Sequence, residues 1–390
     1  MSVDFFKRIQ GEDKKAYILR LCSHRKKLKM SWAELADIIN ENCESTYTPD
    51  NLRKYNANHC SDYAPALEES DLINFDEARL EMKKLKAKIS DERVQLNAYI
   101  RQISREETLK DIAVDVAKMM SEKKELPPVQ ADISKKGLKE GILELSDVHY
   151  GAVISNYWNE YNPEIAKKYF ARLRDEVIRR CNENDIGVLH VVSLGDLING
   201  LIHLRLRLES RIDVVTQTIQ ISEILSEFLY SLSERFDVHF YSCLDNHSRL
   251  DPNKKDSLDL ESMARIIPWY LKTRIQGSVT FHENKYDPEI ITFKCNGFNI
   301  LGVHGDKDKP STIVEKMSVM THEHYDLILT AHLHHFSCDE QNETLVISNG
   351  SMLATDSFAK NLRLTSRPSQ NFIVVDKKNV ADCIYRIILA

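Results

Sequence analysis

Five polar clusters in this chain each stand behind an apolar run. Asp147 and His149 follow GILEL, Gly195 and Asp196 follow VLHVVSL, and Asp245, Asn246 and His247 follow DVHFYSCL. His304, Gly305 and Asp306 follow FNILGV, and His332 and His334 follow DLILT. Residues i and i+2 of a strand face the same side, so D-x-H at a strand end aims a carboxylate and an imidazole at one point. A metal ion takes such donors; an ordinary polar turn accounts equally well for one cluster alone. A recurrence at successive strand ends is different, because the carboxyl ends of strands in an open α/β sheet converge on one crevice.

The elements that must deliver these groups are legible between residues 129 and 390. Strands are expected at 141–145, 188–194, 237–244, 289–295, 298–303, 326–330, 344–348 and 372–375, and helices at 163–182, 214–233 and 258–271. Apolar strand runs alternating with helical patterns predict an α/β layered domain, with parallel early units and hairpin-like late ones.

As an ordered set, D-V-H, G-D, D-N-H-S, H-G-D and A-H-L-H resemble the signature of the calcineurin-like metallophosphoesterase superfamily, over roughly residues 140–350. The resemblance implies a four-layer αββα sandwich and a binuclear metal centre. One ion would take Asp147, His149, Asp196 and His334, and the other Asp196, Asn246, His304 and His332, with Asp196 bridging. Imidazole, carboxylate and amide oxygen without thiolate suit Mn²⁺, and also Fe, Zn or Ni. In the family's chemistry a hydroxide bridging the two ions attacks phosphorus in line, and His247 matches the histidine that neutralises or protonates the leaving oxygen. Two departures from the pattern stand out: Asp245 replaces a glycine, and Ser248 replaces the acid that orients the histidine, leaving Asp245 or Asp306 to substitute. Ala331, where the family has glycine, requires only a negative φ.

The metal centre does not choose between phosphomonoesters and diesters. Behind Asp196 lies LINGLIHLRLRLESR, whose His203, Arg205, Arg207 and Arg211 could grip a polymer's flanking phosphates, or could pair with Glu209 and Asp213 at a helix start.

Residues 1–64 read as three short helices, resembling a helix-turn-helix module with an overlong second connection. On DNA the third helix would bring Asn51, Arg53, Lys54 and Asn56 to the major groove, with Arg20, Arg25, Lys26, Lys27 and Lys29 on phosphate. The alternative is a helical bundle that binds a regulatory protein. In residues 65–128, Phe75, Ala78, Met82, Leu85, Ile89, Leu96, Tyr99 and Ile103 form a heptad seam, followed by a phase shift near Leu109 before Ile112, Val116 and Met119. It predicts a coiled-coil homodimer or a helix packed on the segment that follows, residues 129–390, ending at Pro127 and Pro128.

Net charge is −6, so a nucleic-acid partner must be held by local basic patches or through metal. No apolar run is long enough to cross a bilayer and the first residues lack a signal-peptide core, so a cytoplasmic protein is expected. The eight cysteines are scattered singly without zinc spacing and read as free thiols. The whole is most like phage-type or repair-type nucleases of the superfamily. It reads as a Mn²⁺-dependent phosphodiesterase acting on DNA. A small-nucleotide or cyclic-nucleotide phosphoesterase is the second reading, and a DNA-binding or scaffold protein with a vestigial phosphoesterase domain the third.

Overall fold

A computed structural model describes residues 5–60, 82–96, 126–129, 131–132, 137–202, 204–254 and 257–390, with residues 80, 114, 118 and 122 between them. The chain divides into two compact units, residues 1–107 and 108–390.

In the first unit the three expected helices form: α1 (Lys14–His24), α2 (Trp32–Cys43) and α3 (Pro49–His59). Each begins where a side chain can satisfy the free N–H groups of the first turn. Asp13 accepts from Ala16, Ser31 and Glu34 form a reciprocal capping box, and Thr48 accepts from Asn51 ahead of Pro49. Tyr17, Ile18, Leu21, Leu35, Ile39 and Leu52 close a small core. Asn51, Arg53 and Lys54 on α3 are exposed, as are Lys26, Lys27 and Lys29, while Asn56 is half-buried.

Arg20 and Arg25 do not fit the expected phosphate role. Arg20 is only 6% exposed. Its guanidinium is held by Glu12 at 2.6 and 2.9 Å and by the carbonyls of Phe5 and Lys7. Arg25 lies over the Trp32 ring and donates to the Met30 carbonyl. A cation surrounded by internal acceptors is structural, because freeing it would leave those acceptors unpaired.

A further helix, α4 (82–96), sets Met82 against the core of this unit and Lys86 3.5 Å from Asp37. Its seam residues Leu85, Ile89 and Leu96 are exposed. The other seam positions, Phe75, Ala78, Tyr99 and Ile103, and Leu109, Ile112, Val116 and Met119 at and beyond the phase shift, lie outside the described residues.

The second unit contains β1 (Glu140–Leu145), the short pair β2 (Ile154–Ser155) and β3 (Glu160–Tyr161), α5 (Pro163–Glu183), β4 (Val188–Ser193), α6 (Leu204–Glu209), α7 (Val214–Ser233) and β5 (Asp237–Ser242). It continues with α8 (Ile266–Arg274), β6 (Thr280–Phe281), β7 (Ile291–Cys295), β8 (Phe298–Gly302), α9 (Ile313–Thr321) and β9 (Leu327–Thr330). The last elements are β10 (Ser337–Gln341), β11 (Thr344–Ser348), α10 (Ser357–Asn361), β12 (Ser369–Val375) and β13 (Cys383–Ile388). One sheet has the order β13-β12-β1-β4-β5-β6 and another β10-β11-β9-β8-β7. The strands β1, β4, β5 and β6 run parallel, as do β8, β9 and β11; β12, β13, β7 and β10 pair antiparallel at the flanks.

Side-chain alternation assigns the layers. Ile142, Val192, Leu194 and Tyr241 meet Ile291, Ile300, Leu327, Leu329 and Ile347 between the sheets. Their neighbours Leu143, Leu145, Val191 and Phe240 turn the other way, onto Phe170, Leu173 and Val177 of α5, Leu225 and Phe228 of α7, and Leu271 of α8. Outside the second sheet, Leu301, Ile328 and Val346 bury Ile313, Val314 and Met317 of α9. The expected four-layer αββα sandwich is therefore the observed fold, and each buried aliphatic or aromatic side chain contributes roughly 1.5–3 kcal/mol to it.

The helix expected at 258–271 starts later, as a 3₁₀ turn at Met263–Arg265 running into α8. Pro268 explains the delay: proline is tolerated in a first turn but its ring clashes with the carbonyl four residues back, so the helix cannot extend upstream. No described helix is long and apolar enough to cross a membrane.

Candidate metal centre

The five clusters stand at the carboxyl ends of β1, β4, β5, β8 and β9, three strands of one sheet and two of the other. At the ends of β1, β4 and β9 the chain leaves the pleat abruptly. Asp147, His149, Asp196, His332 and His334 all adopt positive φ, between 47° and 67°. This left-handed conformation costs non-glycine residues of order 1–3 kcal/mol each and concentrates at functional sites, where surrounding contacts enforce it. Those contacts are present. Asp147 N–H donates to the Gly195 carbonyl and His149 N–H to the Asp196 carbonyl, while the Asp147 carbonyl accepts from Met352 N, Leu353 N and Ser351 Oγ. Neither Asp245 nor Ala331 has positive φ, so the loss of glycine at those positions leaves the turns intact.

Two glycines are needed for close approach. A Cβ on Gly195 would stand 2.5 Å from Asp245 Cβ and 3.1 Å from His304 Nδ1. One on Gly200 would stand 2.0 Å from the His247 carbonyl oxygen.

The side chains converge on two foci. At the first, His334 Nε2 lies 3.2 Å from Asp147 Oδ1 and 3.1 Å from His149 Nε2, which is 3.7 Å from Asp196 Oδ2. At the second, His304 Nε2 lies 3.3 Å from Asp196 Oδ2, 2.8 Å from Asn246 Oδ1 and 3.2 Å from His332 Nδ1. Asp196 Oδ2 belongs to both.

These separations fit the donors of a first-row divalent ion, which stand roughly 3–3.5 Å apart around bonds of about 2.1 Å. Asp147 Oδ1 and Asp196 Oδ2 are buried without a hydrogen-bond partner. Orphaned carboxylate oxygens facing imidazole nitrogens cost free energy unless a cation completes them. The His304 tautomer is set from behind: its Nδ1 lies 2.7 Å from the Leu194 carbonyl, so that nitrogen carries the proton and Nε2 is the donor atom. Asp147 is backed through Oδ2 by Ser146 Oγ at 2.7 Å, which in turn accepts from Asn349 Nδ2 at 2.9 Å.

Charge in this pocket is tightly bound. Burial pushes the Asp196 carboxyl up, but the His247, His304 and His149 imidazoles outweigh it and hold it well below the usual range. Burial pulls His304 down, and Asp196 overrides that, raising it to about 10. His334 is likewise depressed by burial and raised overall by Asp147. A raised folded-state pKa means that these imidazoles hold protons where a cation needs lone pairs. Affinity for Mn²⁺ is therefore expected to fall as pH drops from about 9 to 6, by about tenfold per unit for each displaced proton. Calorimetric titrations across that range measure it; an affinity independent of pH would contradict this assignment.

His247 stands beside both foci. Its Nδ1 lies 2.9 Å from the Asn199 carbonyl, and its Nε2 is 3.8 Å from Asp196 Oδ2. The orienting partner is thus a backbone carbonyl, not Asp245 or Asp306. Asp245 instead accepts from Ser248 N and Oγ, at 2.7 and 3.0 Å, and Asp306 lies 3.3 Å from Lys254. Asn199 was not legible as a site residue, because a main-chain oxygen leaves no trace in residue type. Its own side chain is locked by Leu206 O and Ser210 Oγ.

In the segment that follows Asp196, Arg207 and Arg211 are exposed. Asp213, offered as their partner, spends its carboxylate capping α7 through Thr216. His203 and the side chain of Arg205 lie outside the described residues. The hairpin β2–β3 carries Tyr157 and Trp158 at its tip, 93% and 52% exposed. Asn159 at its base donates to the Leu353 carbonyl, and Leu353 N–H donates to the carbonyl of Asp147, so the tip stands two hydrogen bonds from the centre. Lys360 lies over the Trp158 ring. The aromatic pair escaped sequence analysis because exposed rings in a short loop have no periodicity.

Residues 2–66 match the YonJ N-terminal domain family. Over 386 residues the chain is 23% identical to YonJ, an uncharacterized SPbeta prophage-derived protein of Bacillus subtilis (strain 168), covering 95% of each chain. Among solved structures, a novel archaeal phosphodiesterase aligns at 13% identity and a TM-score of 0.32, over 64% of this chain and 99% of its own. Vps29 from Entamoeba histolytica, in complex with zinc, aligns at 13% identity and a TM-score of 0.30, also over 64% and 99%.

Proposed function

We propose that this protein is a phosphodiesterase that uses two divalent cations, with Mn²⁺ as the preferred ion, to hydrolyse DNA. The observation that carries the metal-dependent reading is the Asp196 carboxylate, whose Oδ2 is buried, without a hydrogen bond and shared by two clusters of donors. Asp147, His149, His334 and Asp196 would hold one ion, and Asp196, His304 and His332 the other, joined by Asn246, whose Oδ1 is 2.8 Å from His304 Nε2. A pair of such ions supplies Lewis acidity and an acidified water for in-line attack at phosphorus. The chain's own contribution is positional. The left-handed ligand residues fix the donors, Leu194 and Ser146 orient His304 and Asp147, and His247 is held by Asn199 with Nε2 free to give a proton to the departing oxygen.

A nucleic-acid substrate is supported by the rim. Tyr157 and Trp158 are exposed on the β2–β3 loop, which is tied through Asn159 and Leu353 to Asp147, with Lys360 over the Trp158 ring, and unstacked bases gain about 1–3 kcal/mol each on aromatic faces. The exposed Arg207 and Arg211 suit flanking phosphates. The prophage-derived relative fits that setting. In this reading α3, with Asn51, Arg53 and Lys54, and the exposed Lys26 and Lys27 tether duplex DNA, and the seam of α4 pairs with a second copy. A regulatory protein is the other partner the head could take.

The test uses purified protein with Mn²⁺ on single- and double-stranded DNA, bis(p-nitrophenyl) phosphate and p-nitrophenyl phosphate. Trp158→Ala is expected to raise KM for single-stranded DNA about tenfold through lost stacking, and to leave the chromogenic diester unchanged. Cleavage of small esters without DNA would replace this reading by a small-nucleotide phosphoesterase. Silence with Mn²⁺, Fe²⁺, Zn²⁺ and Ni²⁺ would leave a DNA-binding or scaffold protein.

A further inference from the structure

At the other end of the sandwich a separate group of donors meets. Glu140 opens β1, His190 is the third residue of β4, and Cys295 closes β7, which runs antiparallel to β8 and so ends away from the metal centre. Glu140 precedes Asp147 by seven residues along an extended chain, which separates the two ends by roughly 20 Å. One donor atom from each of Glu140, His190 and Cys295 lies within 4.8 Å of the others. His190 Nε2 is 3.0 Å from Glu140 Oε2.

The geometry points to a second metal site, for one zinc-class ion bound by Glu140, His190 and Cys295 with one position left to water. Thiolate, imidazole and carboxylate together favour Zn²⁺ over the harder ions suited to the other centre. The surrounding groups are those a bound ligand set requires. His190 Nδ1 lies 3.2 Å from Tyr241 OH, so its proton can reside there while Nε2 takes the ion. Asn296 N–H donates to Glu140 Oε2 at 3.0 Å. Phe293 stacks on His190 with centroids 5.1 Å apart, and Tyr241 on Phe293 at 4.3 Å, closing the inner side to water. Cys295 is fully buried and His190 is 4% exposed, whereas the Glu140 side chain, at 23%, leaves an entry path.

Burial and the neighbouring carboxylate raise the Cys295 thiol, which therefore carries its proton in the free protein. Binding one M²⁺ forms the S–M bond and releases that proton to solvent. The proton on His190 Nε2 is replaced by one on Nδ1, so the net release is one proton per ion. Because β1 and β4 belong to one sheet and β7 to the other, the ion clips the two sheets together. Binding energy at such a site is stability of the fold.

Cobalt(II) tests this directly, because a thiolate ligand gives a charge-transfer band in the near ultraviolet and the centre around Asp196 holds no cysteine. Titration of the full chain is expected to reach one thiolate-bound Co²⁺ per molecule, with the same endpoint in Asp196→Asn. The band is expected to vanish in Cys295→Ala, and one equivalent of Zn²⁺ to raise Tm by about 5 °C in Asp196→Asn but not in the Asp196→Asn/Cys295→Ala double variant. Since Cys295 is wholly buried, Glu140→Gln provides the milder variant: the thiol and fold remain, and Co²⁺ affinity falls at least tenfold. No band at saturating Co²⁺, a band retained in Cys295→Ala, or unchanged affinity in Glu140→Gln would each overturn the proposal, whatever the other centre does.

Discussion

Asp196→Asn is expected to lower turnover of a phosphodiester by at least about a thousandfold, equivalent to roughly 4 kcal/mol of transition-state stabilisation. The substitution is nearly isosteric and keeps Oδ1 available to His247 N–H, at 3.3 Å in the parent. It removes the charge on which both foci depend, since Oδ2 faces His149 on one side and His304 on the other. An amide oxygen bridges two cations poorly, because it carries no net charge to offset theirs. The variant should stay folded, as the Asp196 main chain still accepts from His149 N–H. Turnover of bis(p-nitrophenyl) phosphate with saturating Mn²⁺, alongside thermal unfolding, measures both points. A folded variant within tenfold of the parent would remove Asp196 from the role assigned here.

His247→Gln is expected to separate binding from proton transfer. The residue approaches Asp196 Oδ2 only through Nε2 at 3.8 Å and belongs to neither donor cluster, so both ions should remain. Loss of a positioned acid costs typically 10²- to 10⁴-fold, and the cost falls on poor leaving groups that need a proton. DNA, which departs as an alkoxide, should therefore be cut about a hundredfold more slowly or worse. A diester releasing p-nitrophenolate should lose about tenfold or less. Equal losses on both substrates would show that His247 acts by binding phosphate and not by giving up a proton.

Much of this site was written in local order of residues. The strands ending at Leu145, Ser193, Ser242, Gly302 and Thr330 are apolar runs bounded by the donors themselves, so the runs pointed to one crevice, and the family resemblance then picked out the seven donors and His247. Helices α5 and α7 were equally plain, because Asn162 and Asp213 cap long amphipathic patterns. What escaped depends on partners distant in the chain. The edge strand β10, SCDEQ, is polar along its length and forms only because β11 offers it an antiparallel ladder. The short helix α9 has no side-chain cap and acquires its apolar partners from β8, β9 and β11. Arg20 looked like a surface cation beside Arg25 and Lys26, and only folding reveals Glu12 against it. The trio of Glu140, His190 and Cys295 has no sequence motif at all, since three strands from two sheets supply one residue each.

The most direct measurement is anomalous diffraction from crystals of the full chain grown with saturating Mn²⁺. Two manganese peaks are expected, about 3.5–4 Å apart, with Asp196 between them. A single peak, or none within bonding reach of Asp196, would contradict a two-cation centre.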